Sequence, residues 1–257
     1  MINEPNISAE AVKQDLNTRI IGKNILWFAS VTSTNEVARQ AAQNNAAEGT
    51  TIIANEQTAG RGRLNRTWTS PKGTIAISII LRPDASRINQ LIMMSSLGVT
   101  RAISKVTGLK PQIKWPNDVQ INGKKVCGIL IENGWHGKIL SYAVIGIGIN
   151  VNFDPLDYPD IAATATSLSK ETGCVVSLPD VVRNVLTEFD TVYTSDSGIF
   201  EEWRNNLVTL GQQVRATSGN TIYEGTAEDV DRNGSLILKT KDNTLVKISM
   251  GDVTLRK

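Results

Sequence analysis

The segment Lys114-Trp115-Pro116-Asn117-Asp118 leads within five residues into Gly123-Lys124-Lys125-Val126-Cys127-Gly128-Ile129-Leu130-Ile131-Glu132. Gln112–Lys114 reads as a strand, and the proline after Trp115 breaks it, because the residue before a proline is held extended and proline has no N–H to give. Asn122-Gly123 is a strong two-residue hairpin signal. The turn sets Lys125 at the start of a largely apolar strand that runs to Glu132. A lysine at the mouth of a buried strand is costly unless it meets an anion there. Lys125 can also be simply the last exposed residue of the hairpin, and spacing alone favours that plainer reading.

Working outward, Leu140–Asn150 is a further strand pattern, and it contains Gly146-Ile147-Gly148-Ile149-Asn150-Val151. This run lacks the third glycine and the helix start of a dinucleotide fingerprint. It reads instead as a buried strand whose glycines let something approach closely. Upstream, Ile25–Ala29, Thr50–Ala54 and Thr74–Leu81 are strand patterns. Ser8–Asn17 is a short helix with Ser8 as its cap, and Ser33 with Glu36 three residues on predicts a capping box for a second helix. Apolar residues at helical spacing predict a long helix over Ile88–Val106, and others over Leu178–Tyr193 and Ile199–Leu207. After Gly211 the texture changes to short alternating stretches at Gln213–Thr217, Ile222–Val230, Ser235–Thr240 and Leu245–Ser249, divided by Ser-Gly-Asn, Arg-Asn-Gly and Lys-Asp-Asn turns. Such spacing predicts a small all-β barrel of roughly 45 residues. The boundary falls near Leu210, with alternating strand and helix patterns before it and the small barrel after it.

Composition narrows the chemistry. The chain has 257 residues, 40% apolar and 20% charged, with a formal net charge of +2. That suits one large domain plus a small one, and it leaves no broad electrostatic footprint for nucleic acid. Cys127 and Cys174 are far apart and His136 is the sole histidine, so neither a zinc centre nor a histidine-based triad is expected. His136 lies in Gly134-Trp135-His136-Gly137-Lys138, which reads as a hairpin tip. Two reducible thiols and no signal sequence point to the cytoplasm. No apolar run nears the roughly 20 residues a membrane helix needs.

The loop between two good strands, Gln57 to Lys72, carries Gly60-Arg61-Gly62-Arg63 and then Arg66 and Trp68. Its glycines allow amide groups to turn toward an anion, and three guanidiniums supply planar, permanently charged donors. A solvated basic loop or an RNA contact is the other reading. The single copy between strands favours a binding loop in a folded domain. It is not a Walker loop, because no Gly-x4-Gly-Lys-Ser/Thr is present. With its charge unbalanced, such a loop is expected to be mobile until an anion arrives.

Ser33-Thr34-Asn35, Gln57-x-Ala59-Gly60-Arg61-Gly62-Arg63, Lys114-Trp115-Pro116-Asn117-Asp118, Lys125-Val126-Cys127-Gly128-Ile129 and Gly146-Ile-Gly148-Ile-Asn150-Val151-Asn152 together resemble the biotin–protein ligase family. No one of these motifs is specific, but their order and spacing are. The resemblance runs from about Asn24 to the C-terminus. It implies an α+β fold with a lead-in over 1–23, a class II synthetase-like biotin/lipoate ligase catalytic domain over 24–210, built as a mixed β-sheet flanked by helices, and a small C-terminal SH3-like β-barrel over 211–257. It also implies the reaction: biotin and ATP, with Mg2+ as counterion, give biotinyl-5′-AMP and pyrophosphate, and a carrier lysine takes the biotinyl group. By similarity, Ser33, Thr34, Asn35 and Gln57 meet biotin, beside Gly60 and Gly128, where the backbone approaches the ligand. Arg61, Gly62 and Arg63 belong to the loop over the adenylate, and Arg66 assists with phosphate. Lys125 contacts the biotin carboxylate and the α-phosphate, and Asp118 is a candidate for helping deprotonate the acceptor lysine. Asn117 and Asn150 look like nucleotide or metal-shell residues, and Arg256 resembles a barrel residue that reaches the nucleotide. Trp68 either packs on adenine or is a core aromatic.

The implied partner is a biotin carboxyl carrier protein, or the biotinyl domain of a carboxylase or decarboxylase, and the assembly is left open between monomer and homodimer. Some family members carry an N-terminal helix-turn-helix domain. Here about 23 residues precede the resemblance, too few for an independent domain, so sequence-specific DNA binding is not expected. Lipoate ligases share the adenylation logic and remain an alternative, as does a non-enzymatic phosphate- or RNA-binding protein.

Overall fold

The computed structural model describes residues 7–195, 198–219 and 221–249, and the backbone of 252–255. The chain opens with α1 (Ala9–Lys13), whose cap Ser8 accepts from Ala11 N as expected. This helix is shorter than the predicted Ser8–Asn17, and Asp15 takes a positive φ of 59° two residues beyond its end. The lead-in is no loose tail. Val12 and Ile21 are core residues, and the buried Asp190 carboxylate accepts from the amides of Arg19, Ile20 and Ile21 at 2.7–2.8 Å. Three N–H donors on one carboxylate satisfy a charge that would otherwise be expensive to bury.

β1 (Ile25–Phe28), α2 (Thr34–Gln43), β2 (Thr51–Ala54) and β3 (Thr74–Leu81) follow. A 3-10 turn over Ala85–Gln90 precedes α3 (Leu91–Thr107), so the predicted helix from Ile88 begins as a tighter turn. Gly108, at φ 72°, ends it in the left-handed conformation that favours glycine. Then come β4 (Gln112–Lys114), β5 (Asp118–Ile121), β6 (Lys124–His136), β7 (Ile139–Asn150), α4 (Leu168–Thr172), α5 (Leu178–Tyr193) and α6 (Ile199–Asn205). The main sheet has the order β1-β2-β3-β7-β6-β5-β4. Its first pair is parallel and the rest are antiparallel, which makes the sheet mixed.

Every residue of β3 is buried, because α2 covers one face of the sheet while α3 and α5, packed on each other, cover the other. The principal core lies on the α3/α5 face and includes Ile75, Ile77, Ile79, Leu97, Ile103, Val185 and Phe189. A small satellite of Ala38, Ala42, Ile52, Ile80, Tyr142 and Val144 lies under α2. Each buried aliphatic side chain contributes about 1.5–3 kcal/mol, so the sheet is held rigidly at its centre.

β8 (Gln213–Ser218), β9 (Thr221–Val230), β10 (Leu236–Thr240), β11 (Leu245–Ile248) and β12 (Asp252–Leu255) form the SH3-like C-terminal unit, in the order β11-β10-β9-β8-β12. Trp115 ties it to the main sheet. Its buried ring donates from Nε1 to Gly234 O at 2.8 Å, and its backbone N–H donates to Thr209 Oγ1 at 2.9 Å. Among the described residues no helix is long and apolar enough to cross a membrane.

Two local expectations change. The capping box at Ser33 is not formed: its side chain makes no cap bond, and the Glu36 carboxylate is taken by Arg39 and Gln40. The short strand β5 escaped the sequence pattern because Asn117-Asp118 reads as turn. The Trp115-Pro116 peptide is cis, and the chain reverses there so that Asp118 pairs with Lys114 across the β4–β5 hairpin.

Candidate active site

The site is a cavity of about 60 Å³ on the α2 side of β6 and β7. Its floor is made by glycines. A Cβ on Gly146 would lie 2.2 Å from Asn35 Oδ1, and one on Gly148 would lie 2.4 Å from Trp68 Cε2. Neither separation is sterically tolerable, so the two glycines of the Gly-Ile-Gly-Ile run are there for close approach, one by a polar side chain and one by an indole. Gly128, opposite Gly148 in the β6–β7 ladder, leaves room for Trp68 and for Lys125.

The wall on the α2 side is polar and buried. Ser33, Thr34 and Asn35 are all at most 5% exposed. Gln57 Oε1 accepts from Thr34 N at 2.9 Å and lies 3.1 Å from Thr34 Oγ1. Ser78, fully buried on β3, lies 2.8 Å from Thr34 Oγ1 and 2.6 Å from Asn35 Oδ1. Asn35 Nδ2 donates to Glu132 at 2.6 Å. The sequence pattern does not single out Ser78 or Glu132, since each sits in a strand that looks merely structural. Only the facing of Asn35 across the sheet brings them in.

The opposite wall carries charge. Lys125 Nζ lies 2.7 Å from Asp118 Oδ1 and 5.4 Å from the centre of a Trp68 ring. Lys125 is therefore turned inward, which decides against the plain exposed-hairpin reading. Its backbone is fixed from the other side, where its N–H donates to Thr164 O and its carbonyl accepts from Thr166 N. Asn117 Nδ2 donates to Ile129 O, and its Oδ1 accepts from Arg63 Nη1 at 3.0 Å. The Cys127 thiol is buried and its pKa is raised by desolvation, so it is no nucleophile.

The arginine loop is folded over this wall as a small hairpin. Trp68 N donates to Gly60 O, Gly62 N donates to Arg66 O, and Arg61 pairs with Thr67. A Cβ on Gly60 would strike Trp68 O at 2.5 Å. Arg61 reaches Glu132 at 3.2 Å. The Trp68 indole N–H is buried with no partner among the described residues, and an unpaired buried donor costs free energy.

Of the predicted residues, Ser33, Thr34, Asn35, Gln57, Arg61, Gly62, Arg63, Trp68, Asn117, Lys125 and Gly128 line this single cavity. Gly60 and Arg66 do not line it but border a neighbouring cavity that shares Arg61, Gly62 and Arg63 with it, and Asp118 reaches the cavity through Lys125. Asn150 is 3% exposed and does not line the cavity; its amide donates to Thr166 O and braces the strand that carries Lys125. Arg256 lies outside the described residues. Buried donors and acceptors, set beside a lysine and several arginines suited to carboxylate and phosphate, define a site with the chemistry to bind a small polar acid and phosphate groups.

Comparison with known proteins agrees with this geometry. Residues 27–150 match the biotin/lipoate A/B protein ligase family, and residues 209–256 match the biotin protein ligase C-terminal domain. The bifunctional ligase/repressor BirA of Bacillus subtilis is 35% identical over 99% of this chain and 81% of its own length. The biotin–[acetyl-CoA-carboxylase] ligase of Paracoccus denitrificans is 33% identical over 73% of this chain and 83% of its own. The biotin protein ligase of Aquifex aeolicus, solved with biotin and ATP, superposes with a TM-score of 0.78 at 29% identity, over 91% of this chain and 99% of that one. The chain belongs to the biotin/lipoate A/B protein ligase family.

Proposed function

We propose that this chain is an ATP-dependent biotin–protein ligase that joins biotin to a lysine of a biotin carboxyl carrier protein, or of a carboxylase or decarboxylase biotinyl domain. One observation carries the reading: the buried Ser33-Thr34-Asn35-Gln57 wall and the Lys125/arginine wall face each other across one cavity. A cyclic urea brings two N–H donors and a carbonyl that can bond to the polar atoms lining this wall, whereas an apolar dithiolane ring brings none and forgoes those bonds, each worth about 0.5–1.5 kcal/mol.

In the first step a carboxylate oxygen of biotin attacks the α-phosphorus of ATP and pyrophosphate leaves. The carboxylate is its own nucleophile, so no protein base is required. Lys125 stabilises the charge that builds between carboxylate and α-phosphate, with Arg61, Arg63 and Arg66 on the phosphates and Trp68 against adenine. In the second step the acceptor amine attacks the carbonyl carbon of the mixed anhydride, AMP leaves, and the amine loses a proton. Asp118 takes part in that proton loss in this reading, which its 2.7 Å approach to Lys125 Nζ supports. Positioning carries the remaining acceleration.

ATP enters as its magnesium complex. Among the described residues no group of three His, Cys, Asp or Glu gathers to hold a metal. The compartment we infer is the cytoplasm. The test is pyrophosphate release from ATP with biotin, with lipoate, and with neither. Release that depends on biotin alone is expected, and release with lipoate instead would reassign the substrate.

A further inference from the structure

We infer that Leu130 is a specificity-determining residue: its side chain forms the side wall that keeps the acid straight between the polar wall and Lys125, and so selects the length of the acyl chain. The inference rests on the assignment of biotin to this cavity. Three cavities meet at Leu130. They are the ligand cavity, a groove of about 240 Å³ reaching Trp115 and Gly234, and a space of about 610 Å³ bounded by the arginine loop and Glu132. Arg63 also borders all three, but Leu130 is the one apolar side chain that does.

The sheet fixes which way Leu130 faces, because residues directly opposite each other on neighbouring strands share a face. One row across β3, β7 and β6 is Ala76, Gly148 and Gly128, and the next is Ser78, Gly146 and Leu130. Trp68 closes on Gly148 and Asn35 closes on Gly146, so both rows face the cavity. Leu130 is the only large side chain in these two rows. It also stands at the outer side of the sheet: β5 pairs with β6 only as far as Gly128, and among the described residues no strand pairs with β6 on that side from Leu130 on.

A ligand bonded at both ends has a fixed span. With the ring held at Thr34 and Gln57 and the carboxylate at Lys125, an acid with one methylene too many must bow sideways. Toward β3 it meets Ala76 and Ser78, both buried at the centre of the sheet. Below it is the backbone of Gly146 and Gly148, on which Asn35 and Trp68 close. The remaining direction is across Leu130, where the two larger cavities begin. Leu130 blocks that direction by shape and not by charge, so trimming it should admit the longer acid.

The measurement is kcat/KM for pyrophosphate release with biotin, with its homologue one methylene longer in the carboxyl side chain, and with the homologue one methylene shorter. Wild type should prefer biotin over the longer acid by at least about tenfold, the discrimination that one methylene commands in a closed pocket. Leu130→Ala should narrow that preference by about fivefold or more. Leu130→Val should narrow it less, and Leu130→Met, of similar volume, should keep the wild-type ratio. The shorter acid should gain nothing in any variant, because its shortfall lies at the ends of the cavity. If Leu130 merely supported the fold, truncation would slow all three acids in parallel and leave both ratios unchanged, and that result overturns the inference. Wild type that uses the longer acid as well as biotin overturns it too. If wild type releases no pyrophosphate with biotin, the substrate assignment falls and this inference falls with it. Biotin-dependent release with unaltered ratios refutes only the role of Leu130.

Discussion

The two walls of the cavity are built by opposite means. The α2 wall and its glycine floor are buried, backed by β3 and β7, and the polar atoms of Thr34, Asn35, Gln57 and Ser78 are held by one another and by Glu132. The arginine loop is largely exposed: Leu64 is 69% accessible at its tip, and the Arg61 side chain is nearly half so. Its own backbone bonds and a few side-chain contacts keep it in place. A rigid wall can discriminate, because a wrong ligand leaves a buried group unpaired. An exposed wall of cations can pair with the charge that a ligand brings. The difference teaches a division of labour in which the buried sheet wall is fitted to recognise the ligand and the exposed loop to pair with its charge.

Lys125 stands on the charged wall but on a strand of the rigid sheet, and its removal should give the largest effect. Deleting one charged hydrogen-bond donor from a closed site costs roughly 2–4 kcal/mol of transition-state stabilisation. Lys125→Ala should therefore slow biotin-dependent pyrophosphate release by roughly 30- to 900-fold, with far-UV circular dichroism and Tm near wild type. Near-normal release would remove Lys125 from the chemistry.

The floor comes next. Gly148→Ala places a methyl 2.4 Å from the Trp68 ring position, so the indole must shift and the loop hairpin with it. Binding of biotin should weaken by about tenfold or more, and Trp68 fluorescence should change even without ligand. If titration gives wild-type affinity, the floor is less rigid than the comparison requires.

How much of the site is legible in the sequence follows the same division. Gly146 and Gly148 are readable as places of close approach, since two glycines inside a β-branched run have few other uses. The arginine loop is readable by composition. The inward turn of Lys125 is not, because nothing in a hairpin pattern says which way its first side chain faces. The β6–β7 ladder and the anchoring of Lys125 to Thr164 and Thr166 decide that. Ser78 and Glu132 are illegible for a similar reason: their meaning depends on Asn35, which lies 43 and 97 residues away. The unformed capping box shows the converse. Ser33 and Glu36 have the local pattern, but Ser33 lines the cavity and Glu36 has an arginine neighbour.

The loop side is tested by Arg63→Gly. This change removes the hydrogen bond to Asn117 and a cation beside the phosphates, while the buried wall stays intact. Adenylate synthesis should fall only severalfold, whereas dissociation of biotinyl-5′-AMP should speed up about tenfold. That is the effect of removing one charge-assisted hydrogen bond, worth about 1.5–3 kcal/mol, when solvent partly replaces it. Escaped adenylate should label lysines on a bystander protein. A loop equally protease-sensitive with and without ligands, together with wild-type retention by the variant, would end the lid reading.

The smallest effect should come from the barrel, and it measures how far the rigidity of the sheet extends. Arg204 on α6 donates from Nε to Asp229 on β9 at 2.6 Å, across the junction that Trp115 also spans. The Asp229 pKa is lowered, first by the hydrogen bond from Arg204 and then, against the opposing cost of burial, by the Val230 amide and the arginine charge. A carboxylate whose folded pKa is depressed stabilises the folded state above its unfolded pKa of about 4, and that stabilisation disappears as pH falls through the lower folded value. Both side chains are more than a third exposed, so solvent screens most of the interaction. Asp229→Asn should therefore lower Tm by only about 1–2 °C at neutral pH. The gap between variant and wild type should shrink as pH drops below about 4, and it should also narrow in high salt. A larger loss that persists in acid would mean that Asp229 holds the barrel by packing and amide contacts, and not by charge. The barrel would then belong with the rigid wall, with the arginine loop left as the one part of the site built to move.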